Sequence, residues 1–454
     1  MARKLLTLLM ALVLAVLVAA TAILRPDRAA HIVAAVVAHN VCVKTFVSGF
    51  SPEVAFAEIT DQSAFLLWRP VMQYQLEQAP NSVAVSMFGR IFGRAVLHQG
   101  FGCVMTNETQ PYQIPRSDLR TLIAAEMPPL LPEIAGETVV NPEQPALKAA
   151  LDHVFEEPAT APKRRTKAVV VVHNGRVIAE RYATDVGIDT QLLGFSMTKS
   201  VMTALIGIMT RQGRLSPSIA APIPEWHSST DPRHEIKIEH LLRMTTGLAL
   251  DETWLGFDQS SQMYLHNDMA SFAASAPLIA TPGSRWHYSS GTTQLLARII
   301  RDNLGGPEQA LAFAWRELFN PLGMRHVTME FDGAGTFQGA SNMLASARDW
   351  ARFGLLYLNN GKIGGEQILP DDWVDFSARP TLNTNYGAGF WTNRGNRIDA
   401  SRREPGAMPR DAFFATGWLD QSIAIIPSRN LVVVRLGDSP GEVGRLISEI
   451  LAAI

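Results

Sequence analysis

Residues 192–199 read Leu192-Leu193-Gly194-Phe195-Ser196-Met197-Thr198-Lys199. A helical pattern follows over residues 198–212 and stops at Gly213. Ser196 and Lys199 are one helical turn apart, so they share a face. A serine hydroxyl is a weak nucleophile until a base stands beside it. A lysine buried on that face would lose proton affinity and could accept the serine proton. The first turn of the helix adds backbone N–H groups suited to a developing oxyanion. The spacing is short and common, so the surrounding sequence must support the reading.

Two further segments do. Trp286-His287-Tyr288-Ser289-Ser290-Gly291 puts a phenol and small polar residues at the start of a helical stretch over 292–303. Ala415-Thr416-Gly417-Trp418 precedes a pair of β-rich runs at 421–427 and 430–436. Such a strand can border a substrate cleft and offer a backbone N–H to an oxyanion. A second pair, 168–173 and 176–182, surrounds Asn174-Gly175, a strong short-range hairpin signal. Strands at both ends with helices between them, including 345–359 and 370–378, predict a mixed α/β (α+β) domain on an antiparallel sheet.

The order Ser-x-x-Lys, Tyr-x-Ser, x-Thr-Gly resembles the serine β-lactamase and penicillin-binding protein superfamily. Within it the chain is most similar to the class C-related branch, which holds family VIII-type carboxylesterases and 6-aminohexanoate-dimer hydrolases. Residues 236–248, Pro321-Leu322-Gly323-Met324, 345–354 and 361–373 resemble further stretches of that branch. The resemblance covers roughly residues 167–437. It implies a β-lactamase/transpeptidase-like fold: an antiparallel sheet flanked by helices, with an all-helical subdomain. It also implies Ser196 as nucleophile, Lys199 as the group that deprotonates it, and Tyr288 as proton shuttle. The backbone N–H groups of Ser196 and Trp418 would form the oxyanion hole. Ser290, Ala415, Thr416 and Gly417 would line the cleft; outside the matched motifs, Trp254 is a further candidate for the cleft, with plain packing as the alternative. The chain departs from the family pattern twice. Ser290 stands where Tyr-x-Asn has asparagine, and Ala415 where Lys-Thr-Gly has lysine. Losing that lysine disfavours a carboxylate-bearing lactam and favours a neutral ester or small amide cleaved through an acyl-enzyme. The alternatives are a D-amino-acid peptidase or weak β-lactamase acting on cell-wall-like substrates, and an inactive binding member of the fold. No metal or cofactor is implied.

Composition sets the wider frame. With 454 residues and 47% hydrophobic content, the chain can bury a large core. Its 40 basic and 42 acidic residues nearly cancel, which argues against nucleic acid as a partner. Residues 5–24 are uncharged and apolar, behind Arg3 and Lys4. Twenty such residues can span a bilayer as an anchor, or serve as a secretory signal cleaved near Ala20-Thr21-Ala22. Either reading exports the rest, to the periplasm or to the outward face of the inner membrane. Cys42 and Cys103 are then expected to pair, closing a loop of about sixty residues; two buried thiols are the alternative. The expected organisation is a leader or anchor over 1–28, an amino-terminal extension over 29–165 and the hydrolase over 166–454. Nine prolines between 111 and 162 suggest that the extension ends in an extended connector, closed by a solvated basic cluster, Lys163-Arg164-Arg165.

Overall fold

The computed structural model describes residues 26–78, 81–106, 128–160, 163–253, 258–395, 408–440 and 442–454. The apolar run at 5–24, with Ala20-Thr21-Ala22, lies outside them, as does Trp254.

The strands in chain order are β1 (Met72–Gln78), β2 (Asn81–Met87), β3 (Arg90–His98), β4 (Gly102–Met105), β5 (Thr166–His173), β6 (Arg176–Tyr182), β7 (Leu192–Leu193), β8 (Val327–Met329), β9 (Met343–Ala345), β10 (Lys362–Ile363), β11 (Glu366–Gln367), β12 (Trp391–Thr392), β13 (Phe413–Gly417), β14 (Gln421–Ile426) and β15 (Leu431–Gly437). The central sheet has the order β12-β13-β14-β15-β5-β6, antiparallel at every pairing. Both expected hairpins are present. Asn174 and Gly175 take φ 51° and 77°, the left-handed pair that a two-residue turn between twisted strands requires. Successive residues of β5 face opposite sides. Val170 and Val172 join the core that holds the Thr198–Arg211 and Ala347–Leu358 helices. Val169 and Val171 meet Leu147, Leu151 and Ile450 of the Pro145–Phe155 and Val443–Ala453 helices. Burial on both faces explains why β5 and β15 read as continuous valine-rich runs rather than as an alternating pattern. Beyond the sheet, the helices Met269–Ala274, Ser290–Leu304 and Pro307–Ala314 form the helical part.

The connector reading needs two corrections. Residues 145–155 form a helix with Leu147, Ala150, Leu151 and Val154 buried against the sheet; Pro145 stands in its first turn, where a missing N–H costs nothing. The basic cluster is only partly solvated. Arg165 is half-buried and pairs with Asp61, and Arg164 donates to the carbonyl of His153 at 2.7 Å.

The amino-terminal extension packs tightly on the rest of the chain. Its Pro26–Phe46 helix lies across the β1-β2-β3-β4 meander. A Cβ at Gly93 of β3 would stand 2.3 Å from the Ala34 backbone, so the glycine permits this close approach. By length and composition residues 27–46 could cross a membrane, yet the helix is largely buried inside the protein. Cys42 and Cys103 are paired, with Cα atoms 6.2 Å apart. Leu193 and Leu344 of the hydrolase complete the extension's own apolar core. Buried polar contacts fix the register between the two parts. His39 Nε2 lies 2.5 Å from Glu330 Oε2, and Lys44 pairs with Glu58 and Asp438.

Candidate active site

Gly194 through Thr198 form a tight turn leading into the Thr198–Arg211 helix. Gly194 N donates to Met343 O at 2.9 Å, and Met343 N donates to Thr198 Oγ1 at 3.1 Å. The turn is thereby held to β9. A Cβ at Gly194 would lie 2.4 Å from the Trp350 ring, so only glycine fits. Phe195 has φ 46°. A bulky residue in left-handed backbone next to Ser196 is a strained arrangement of the kind concentrated at functional sites.

Lys199 lies at the base of this turn, 2% exposed. Its Nζ donates to Ser196 Oγ at 3.0 Å, Ser290 Oγ at 3.2 Å and Ala340 O at 2.8 Å. Burial lowers its pKa to about 8, against the opposing pull of Glu252, whose negative charge favours the ammonium. A neutral amine keeps two N–H donors and one lone pair. With Ser290 Oγ and Ala340 O accepting the two N–H groups, the lone pair faces Ser196 Oγ. That geometry can take a proton from the serine.

Tyr288 presents its ring to Lys199, with Nζ 4.9 Å from the ring centroid. The phenol ring is held by Tyr386 at 5.7 Å and Trp391 at 5.8 Å. Ser290 opens the Ser290–Leu304 helix, which Ser289 caps by accepting from Thr292 N. Its own N–H donates to Glu252 Oε2 at 2.5 Å, and burial raises the Glu252 carboxyl pKa. Glu252 was not legible as a site residue, because nothing in its local sequence places it beside Ser290.

The carboxyl end of β13 runs beside the nucleophile turn. A Cβ at Gly417 would lie 2.2 Å from Gly194 O, so the Ser196 and Trp418 N–H groups belong to adjoining backbone segments. After Trp418 the chain turns through Leu419 and Asp420, at φ 63° and 58°. Buried Arg435 fixes that turn by donating to Leu419 O at 2.7 Å. The Trp418 indole packs edge-on against Phe195, centroids 5.3 Å apart, and against Phe65 of the extension at 6.1 Å.

In front of Ser196 is a cavity of about 880 Å³. Ile32, Val36 and Phe65 of the extension form one wall, and Phe195, Asn342 and Trp418 contribute to the other. Among the described residues that line it there is no lysine or arginine. Of the residues expected to line the cleft, Ala415 is 1% exposed with its methyl packed in the core, and Ser290, Thr416 and Gly417, like Ala415, are not among the residues lining this cavity. Thr416 and Gly417 are half-buried.

The comparisons agree with this architecture. Residues 151–451 match the family model described as Beta-lactamase. The 6-aminohexanoate-dimer hydrolase of Paenarthrobacter ureafaciens is 23% identical over 227 residues, covering 46% of this chain and 56% of that enzyme. A Bacillus anthracis protein assigned as a 6-aminohexanoate-dimer hydrolase has a similar fold, with TM-score 0.53 and 22% identity over 76% of this chain and 88% of that one. A penicillin-binding protein homologue from Caulobacter crescentus gives TM-score 0.54 at 20% identity, over 70% of this chain and 99% of that one.

Proposed function

This chain belongs to the beta-lactamase family and is a serine hydrolase; from that premise we propose that it cleaves neutral carboxylic esters or small amides through an acyl-enzyme on Ser196. The contact of Lys199 Nζ with Ser196 Oγ at 3.0 Å carries the reading, because it is made by a lysine whose pKa burial has lowered to about 8. In this mechanism the neutral amine takes the hydroxyl proton as Oγ attacks the carbonyl. The N–H groups of Ser196 and Trp418 receive the oxyanion. Tyr288 passes the proton to the leaving alcohol or amine, and water then releases the acyl group by the reverse transfers. A carboxylate on the substrate would need a cation, since an unpaired charge in a partly dry site is costly. The core position of Ala415 and the cavity wall, without lysine or arginine, both support a neutral substrate.

The test is a fluorophosphonate label followed by a panel of p-nitrophenyl esters, small amides and nitrocefin. Ser196→Ala should abolish labelling, and Lys199→Met should lower kcat/KM for the best ester by about 100-fold or more. Undiminished turnover in Ser196→Ala would overturn the proposal. The same reading places the chain outside the cytoplasm, with residues 5–24 as leader or anchor; amino-terminal sequencing and fractionation of the expressed full chain decide between the two.

A further inference from the structure

The amino-terminal extension does more than pack against the hydrolase, because it supplies much of the wall facing the nucleophile. Ile32, Val33 and Val36 come from one side of the Pro26–Phe46 helix, and Phe65, Leu67 and Val71 from the segment that follows. The cavity they share with Ser196 lies between two parts of the chain held together by the Cys42–Cys103 bond and the His39–Glu330 contact. Several polar side chains on the wall hydrogen-bond to the protein, whereas Asn40 Oδ1 has no partner among the described residues. His39 contacts Glu330 and Asn342, and Tyr264 contacts Ser341. Leu67 and Phe88, which also line the cavity, are 92% and 74% exposed. Apolar side chains so exposed at a cavity's edge form an apolar entrance.

We infer that this cavity holds the aliphatic acyl chain of the substrate, making the enzyme selective for medium- to long-chain carboxylic esters. The inference rests on the hydrolase reading above and names its substrate class. At about 30 Å³ per methylene-sized group, a ten-carbon chain takes about 300 Å³, which the cavity of about 880 Å³ admits with room for the ester. During the reaction the acyl group stays on Ser196 while the alcohol departs, so an apolar cavity beside Ser196 fits the part that remains. Each methylene moved from water into the chamber can raise kcat/KM by up to about fourfold.

The experiment compares p-nitrophenyl acetate, butyrate, octanoate and decanoate below their aggregation limits, using the full chain. The expected result is a rise of at least about fiftyfold in kcat/KM from acetate to octanoate, well under the ceiling set by six methylenes. Val36→Trp, which fills the chamber, should lower the octanoate-to-acetate ratio by about tenfold or more. Should that variant fail to fold, the wild-type profile decides alone. A flat or falling profile, with acetate turned over by Ser196, overturns the acyl-chain assignment and leaves the hydrolase reading intact. If no ester is cleaved and fluorophosphonate does not label Ser196, the hydrolase reading itself fails. Presenting the octanoyl ester free or within phosphatidylcholine vesicles identifies the source of the chain. Faster turnover in vesicles points to a lipid surface and faster turnover of the free ester to a soluble substrate, and each supports the shared chemistry.

Discussion

The pH dependence of ester hydrolysis is the most direct probe of Lys199. With a pKa of about 8, against 10.5 for an unperturbed lysine, roughly one-tenth of the side chain is neutral at pH 7 and about one-hundredth at pH 6. An unperturbed lysine would be neutral about once in 3,000 at pH 7, so burial enriches the reactive form about 300-fold, equivalent to roughly 3–4 kcal/mol. The sign follows directly. The base is the deprotonated form, so activity is present above the folded pKa and lost as pH falls through it. kcat/KM for a neutral ester should therefore rise nearly tenfold per unit from pH 6 to 7.5 and level off above about 8.5. Glu252 stabilises the ammonium, so Glu252→Gln should shift the rising limb to lower pH. Stopped-flow or plate assays with p-nitrophenyl butyrate, corrected for spontaneous hydrolysis, give the profile. A wild-type profile flat from pH 6 to 9 would refute the assignment of Lys199 as the base, and a limb unmoved by Glu252→Gln would refute the pull of the Glu252 charge on it.

Two further predictions concern other parts of the molecule. Replacing Cys42 and Cys103 together by serine opens a loop with a sequence separation of 61, and should lower the unfolding free energy by about 4 kcal/mol. Thermal melts with and without reductant measure this, and a variant melting with the oxidised wild type would show that the bond contributes nothing. Ala415→Lys should place an ammonium in packed core rather than build a carboxylate site, and so lower Tm without increasing nitrocefin turnover. An unchanged Tm with faster nitrocefin hydrolysis would return position 415 to the cleft.

Local patterns made the hydrolase part legible. The three-residue spacing of Ser196 and Lys199 forces them together within one turn, whatever surrounds them. The Asn174-Gly175 pair dictates a hairpin because both residues tolerate positive φ. Motifs repeated in order then placed Tyr288, Gly417 and Trp418 near the nucleophile turn. Other features had no local signature. The 145–155 helix was obscured by a proline-rich context, and its apolar stripe has meaning only against the outer face of the sheet. Ala415 read as a cleft residue because its strand borders the site, but the direction of its methyl into the core is set by strand register. Glu252 reaches the site through its contact with Ser290, 38 residues away in sequence. Sequence alone determined the family, the sheet hairpins and the Ser196–Lys199 pair, since these depend on residues a few positions apart. Tertiary structure alone decided that side chains of the extension, such as Ile32, Val36 and Phe65, wall the cavity before Ser196. The contacts that put them there, such as His39 with Glu330, join residues 291 positions apart, and side chains so distant meet only once the chain has closed on itself.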